Sequence, residues 1–197
     1  MKLIGIIGPI GSGKDTVADY LIKKHHFRKI SFAGRVKDIT SLAFGWDRAM
    51  LEGDTPYSRI WREQIDPAWN IKPREALQKI GTSMFREQIC DDFWVKGVEQ
   101  TIYQWAEEDV EGVVVTDCRF ENEMEMIKRN GGILLHLSRE KPEWAEEAAN
   151  QEKPEDKKYI HVTDWNVWRY MSMADIHILN NGTKEELYAK VLEAISK

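Results

Sequence analysis

With only two cysteines in 197 residues, Cys90 and Cys118, the chain has no disulfide framework, and no Cys/His spacing has the pattern of a zinc site. Reduced thiols in a cytoplasmic protein are the expectation. No apolar run approaches the roughly 20 residues that a membrane helix needs, and the apolar opening is too short for a signal-peptide core. A soluble protein with no membrane partner follows. Excess positive charge is also missing. At a net charge of −5, the surface is unsuited to a nucleic acid polymer, although a few local cations suffice for a small anion. Internal repeats, a linker between comparable halves and an Asn-Lys-x-Asp guanine signature are all lacking. His25, His26, His136, His161 and His177 show no triad or metal spacing. They are expected at the surface or in satisfied structural positions, with His161 alone near function. The tryptophans are expected as packing and edge residues.

What is present is an alternation of apolar runs and helical periods, which implies a parallel sheet wrapped by helices. Strands are expected at Lys2–Ile7, 29–33, 112–116, 133–137 and 175–179. Helices are expected from Lys14 onward, at 36–44, from Pro73, and at 93–105, 123–129, 165–171 and 183–195. On the Pro73 helix, Leu77, Ile80, Met84 and Phe85 fall on one side. One stretch, 45–70, holds Trp46, Trp61 and Trp69 among charges and has no long period. Another, 141–158, is rich in Glu and Pro and is expected to be exposed.

Between the first strand and the first helix lies Gly8-Pro9-Ile10-Gly11-Ser12-Gly13-Lys14-Asp15-Thr16, which matches G-x-x-x-x-G-K in the context that motif needs. Glycines let consecutive N–H groups turn around phosphate oxygens, and the helix N-terminus adds positive potential. Lys14 would reach the β- and γ-phosphates of a nucleoside triphosphate. Asp15 replaces the usual hydroxyl after the lysine. Beside a triphosphate it either faces Mg²⁺ or turns away to support the loop. Thr16 still offers a hydroxyl. Asp117 ends the strand Val113-Val114-Val115-Thr116, where a parallel sheet delivers side chains to its ligand crevice, and Arg119 follows it. Lys37, Arg74, Arg86 and Arg139 add cations at strand ends and on one helix. A second anion site distinguishes a kinase from an ATPase, and Arg suits phosphate through its planar fork.

In this order the segments resemble the bacteriophage-type deoxynucleoside monophosphate kinases, a branch of the P-loop nucleotide kinases. The resemblance rests on the loop 8–16; on Phe32-Ala33-Gly34-Arg35-Val36-Lys37-Asp38; on Pro73-Arg74-Glu75-Ala76-Leu77-Gln78-Lys79-Ile80-Gly81-Thr82 with Trp94-Val95; on Asp117-Cys118-Arg119-Phe120-Glu121-Asn122-Glu123; and on 180–187. His161-Val162-Thr163-Asp164 looks like the family's late element. The resemblance implies a single α/β domain over 1–197, a three-layer parallel sheet flanked by helices. The stretch 45–70 is expected as an acceptor-side insertion, and 141–158 either closes over the site as a lid or stays a solvated surface excursion. The resemblance also implies phosphoryl transfer from ATP, with Mg²⁺, to a deoxynucleoside 5′-monophosphate, and a homodimer. Carried over, Gly11, Ser12, Gly13, Lys14, Asp15, Thr16, Arg139, Asn181 and Gly182 hold ATP. Val36, Lys37, Arg74, Gly81, Thr82, Trp94, Asp117, Arg119 and Glu123 form the acceptor site. Lys14, Arg74, Asp117 and Arg119 serve catalysis, and Asp15, Thr16 and Asp117 face the metal. The loop departs from members with basic residues at positions 10 and 11, and 45–70 matches poorly. Rival readings are a kinase of the dephospho-coenzyme A or phosphomevalonate type, and a non-catalytic ATP-sensing module.

Overall fold

The computed structural model describes residues 1–157, 160 and 162–196, with Thr163 described by its backbone only. The chain falls into two compact units, one formed by 1–30 with 99–197 and the other by 31–98.

The first unit is built on five parallel strands: β1 Lys2–Ile7, β2 Phe27–Ile30, β3 Gly112–Val115, β4 Ile133–Ser138 and β5 Ile176–Leu179. Their order across the sheet is β2-β3-β1-β4-β5. β1 is central and must bury both faces, which is why it reads as a continuous apolar run. Helices α1, Lys14–His25, and α10, Lys184–Ile195, cover one face. There Ile4, Ile6, Leu135, Leu137 and Ile178 pack against Val17, Leu21, Leu187 and Val191. Helix α7, Glu121–Arg129, lies on the other face: a Cβ added to Gly5 would stand 2.9 Å from Ile127 Cγ1. Helix α9, Val162–Arg169, also packs there, with Trp168 against His136 of β4 at 5.1 Å. The result is three layers of helix, sheet and helix.

β2 starts two residues before its expected place. His26 adopts φ 55° and its N–H closes on Leu21 O, so α1 ends abruptly and Phe27 already pairs with Gly112. The apolar residues expected at the strand's end belong instead to helix α2, Phe32–Phe44, which buries Phe32, Val36 and Thr40 at helical spacing.

The second unit takes in α2 and the stretch that showed no period. That stretch folds as α3, Arg48–Glu52, capped by Asp47, and α4, Pro56–Arg62, closed by a Thr55/Ser58 capping box. Helices of five and seven residues are too short to show a period. Trp46, Leu51 and Ala76 make its small core, with Phe44, Trp61, Ile71 and Leu77 against them. Helix α5, Pro73–Gln78, continues as a π-helical turn over Lys79–Met84. This widening breaks the side shared by Leu77, Ile80 and Met84. Ile80 is buried, whereas Met84 is exposed. Helix α6, Phe93–Glu107, returns the chain to the first unit.

The charged segment after β4 is also less exposed than expected. It carries helix α8, Ala145–Asn150, with Ala145 and Ala148 buried and Trp144 stacked on Trp165 at 5.6 Å and 8°. No helix among the described residues is long and apolar enough to cross a membrane.

Candidate active site

β1 stops at Ile7 because Gly8 packs directly on β4: a Cβ there would stand 2.4 Å from Leu137 O and 2.6 Å from Ser12 Oγ. The loop then turns through Gly11 at φ 78° and Gly13 at φ 106°, left-handed conformations that glycine adopts without cost. Gly13 leads into α1, whose unpaired N–H groups open toward the loop. Lys14 Nζ donates to Gly8 O at 2.8 Å and Pro9 O at 2.7 Å, so the ammonium lies inside the loop. Burial lowers its pKa to about 8, helped by the positive charge of Arg119 and opposed by Asp15, Asp117 and Asp164. Those charges place Arg119, Asp117 and Asp164 around the same ammonium. A cavity of about 330 Å³ opens on the loop's outer side, lined by Pro9, Ile10, Gly11, Ser12, Arg139 and Glu140.

Asp15 points away from the loop. Its Oδ1 accepts from Lys29 Nζ at 2.8 Å, and the side chain is 78 % exposed. Glu123 is buried, and its Oε2 accepts from the backbone N–H groups of Arg119 at 2.8 Å and Phe120 at 3.1 Å. It therefore holds the turn that carries Asp117 and Arg119. Asn181 and Gly182 are exposed after β5, and Thr183 and Glu186 form a capping box behind them.

Asn180 emerges here without any prior role beyond a turn. It is buried, and its Nδ2 donates to Ser12 O at 2.8 Å, tying the end of β5 to the phosphate loop. Asn180→Ala leaves that carbonyl unpaired and is expected to cost about 1–3 kcal/mol, readable as a lower midpoint in chemical denaturation. Asp164 is the other addition from the first unit, and its place beside Lys14 depends on how α9 docks. His161 lies outside the described residues. Among the described residues no group of three or more His, Cys, Asp or Glu side chains could hold a metal ion. Mg²⁺ needs no such cage when phosphates supply ligands, and one or two carboxylates suffice. Asp117 with the Thr16 hydroxyl suits that requirement. Asp15 would first have to leave Lys29.

The remaining predicted residues stand in the second unit. Lys37 pairs with Glu52, which also binds Arg48, and Arg48 reaches Asp38 at 2.6 Å. Although its burial opposes this, Glu52 is held below the usual carboxylate range by those two cations. Arg74 meets Glu63 at 3.0 Å on the surface, and Arg86 is buried against Asp91. Val36 is buried, and Thr82 is exposed on the π-helical turn. Trp94 is 2 % exposed, packed on Phe85 and Phe93, and its N–H donates to Gly81 O at 2.7 Å. Its ring is thus a support for Gly81, not a face offered to a sugar or base.

The family model described as deoxynucleotide monophosphate kinase matches residues 53–191. A candidate deoxynucleotide monophosphate kinase of Acanthamoeba polyphaga mimivirus is 29 % identical over 206 residues, covering 99 % of this chain and 96 % of that protein. The deoxynucleotide monophosphate kinase of Escherichia phage RB69 is 24 % identical over 256 residues, covering 97 % and 98 %. In fold, the chain resembles the dephospho-CoA kinase of Campylobacter jejuni at a TM-score of 0.55 and 16 % identity, covering 100 % and 96 %.

Proposed function

The chain belongs to the deoxynucleotide monophosphate kinase family, and on that premise we propose that it transfers the γ-phosphoryl group of ATP to a deoxynucleoside 5′-monophosphate, giving ADP and a deoxynucleoside diphosphate. The observation that carries the chemistry is Lys14, seated inside the loop at the head of α1 with Arg119 and Asp117 about it.

Phosphoryl transfer asks the protein for position and charge rather than covalent chemistry. The loop's N–H groups and Lys14 hold the β- and γ-phosphates. Arg139 borders the cavity outside the loop and suits the nucleotide's flank. The bond from the γ-phosphorus to the β,γ-bridging oxygen breaks as an acceptor phosphate oxygen bonds to that phosphorus. Charge then develops on the departing ADP, where Lys14 stands. Arg119, its backbone fixed by Glu123, neutralises the transferred group, and Lys37 and Arg74 suit the acceptor's phosphate. A phosphate monoester is already largely ionised at neutral pH, so no strong general base is required. Mg²⁺, when bound, would supply further neutralisation of phosphate charge, and Asp117 and the Thr16 hydroxyl would hold it.

A coupled ADP-release assay across the four common deoxynucleoside monophosphates, dephospho-coenzyme A and phosphomevalonate tests this. Turnover is expected with at least one deoxynucleotide and with neither of the others. ATP binding without acceptor-dependent turnover would overturn the proposal.

A further inference from the structure

Two further arginines stand in the stretch that had no sequence period, and they are anchored unlike Lys37, Arg48, Arg74 and Arg86. Arg62, at the end of α4, donates from NH1 to Leu51 O and Glu52 O, each at 3.3 Å. Arg59 donates from Nε to Gly53 O at 2.8 Å. Main-chain carbonyls fix a guanidinium in place but cancel none of its charge, whereas Lys37, Arg48, Arg74 and Arg86 each lean on a carboxylate.

The seat of Arg62 is specific. Gly53 adopts φ +73°, and a Cβ built on it would stand 2.3 Å from Arg62 Cζ. The guanidinium therefore occupies the space that a side chain at position 53 would fill. This arrangement works against the fold's own stability. Burial and the like charges of Arg74 and Arg59 hold the Arg62 pKa below its ordinary value, with Glu63 and Asp54 opposing them, while the guanidinium keeps its proton. Arg62 Nε is buried and has no hydrogen-bond partner. Like charge only partly offset by carboxylates, together with an unsatisfied buried donor, is retained where a ligand relieves it. A phosphate monoester does so, because its charge offsets the arginines and its oxygens match their planar forks.

We propose that Arg62, seated on Gly53 beside Arg74, binds the 5′-phosphate of the acceptor nucleotide. This rests on the kinase reading above and adds to it a residue and a backbone cradle. Arg74 is the exposed member of the pair and Arg62 the partly buried one. Arg59 adds long-range charge, so its loss matters less.

The test uses the full chain and whichever deoxynucleoside monophosphate it turns over best. Arg62→Ala is expected to raise the KM for that acceptor about 100-fold. Arg62→Lys should raise it about tenfold, because an ammonium loses the fork. Gly53→Ala should follow Arg62→Ala, since its methyl occupies the guanidinium's seat. KM for ATP should stay within about twofold in all three. Calorimetry supplies a readout that a structural role would not move. Wild type should bind the monophosphate far more tightly than the corresponding deoxynucleoside, and Arg62→Ala should lose that preference while binding the deoxynucleoside as before. An Arg62→Ala enzyme with unchanged acceptor KM, or one weakened equally for the deoxynucleoside, overturns the assignment and leaves the kinase reading standing. If wild type phosphorylates no deoxynucleotide, the reading beneath it falls and the assignment with it.

Discussion

Lys14→Ala is expected to lower kcat/KM for phosphoryl transfer about 10³-fold, roughly 4 kcal/mol of transition-state stabilisation, while the protein still melts cooperatively. The ammonium is the cation seated within the loop, and its carbonyl partners are main-chain groups whose positions are set by β1, Gly8 and α1. Removing it takes charge from the point where the departing ADP becomes more negative. The same lysine should give the reaction an alkaline limb. Its pKa near 8 in the free protein must rise when a triphosphate lies against it. Nucleotide binding above pH 8 therefore takes up a proton and weakens by up to about tenfold per pH unit. Folding has the opposite sign. The unfolded lysine keeps its proton to about 10.5, so between pH 8 and that value the unfolded state binds more protons and Lys14 makes stability rise with pH. Calorimetry of ATP binding in buffers of different ionisation enthalpy reads the proton uptake. A Lys14→Ala enzyme within tenfold of wild type would remove the lysine from the chemistry.

The second large effect is on stability in acid. His136 sits on β4 opposite Ile7, is 2 % exposed, and has an Nε2 atom with no hydrogen-bond partner. It had been expected at the surface or in a satisfied position. Burial lowers its pKa from 6.5 to about 4, and the neighbouring His177 and Lys14 push the same way. As pH falls from 6.5 to 4, the unfolded chain gains a proton at this residue and the folded protein does not. Stability should therefore drop across that window by about 3 kcal/mol from His136 alone, and no further below pH 4. Denaturation of wild type and His136→Leu at pH 7 and pH 4.5 isolates the contribution, because His177 and the carboxylates are common to both. The variant should lose most of that difference. An unchanged acid slope would show that His136 already carries its proton in the native state.

The phosphate loop was legible because its determinants are local. A buried strand, a glycine turn and an amphipathic helix follow one another within 25 residues, and each leaves its own pattern. Asp117 was readable for the same reason, because it follows closely on the apolar strand β3, two residues past its end at Val115. What escaped depends on tertiary placement. Nothing in residue type says that His26 takes a left-handed conformation, so β2 came out late. The π-helical turn after Gln78 breaks a side that helical spacing joined. Two alanines and a tryptophan bury a helix inside a segment whose composition is that of an exposed loop. Trp94 and Glu123 are ligand contacts by the family resemblance, whereas by residue type alone Trp94 suits the core as well. Their burial, the indole donating to Gly81 and the carboxylate accepting from the Arg119 turn, makes them supports one step behind the site. Arg62 was illegible because its partners are the main-chain carbonyls of Leu51 and Glu52, in space that Gly53 leaves open.

The stack of Trp144 on Trp165 has a use outside the chemistry. Two indoles 5.6 Å apart and 8° from parallel are close enough for their electronic transitions to couple. One ring begins helix α8 in the acidic segment, and the other is fully buried in α9. Their coupled circular dichroism is therefore a built-in optical gauge of whether that segment is seated. It can be followed in solution during turnover without attaching a dye.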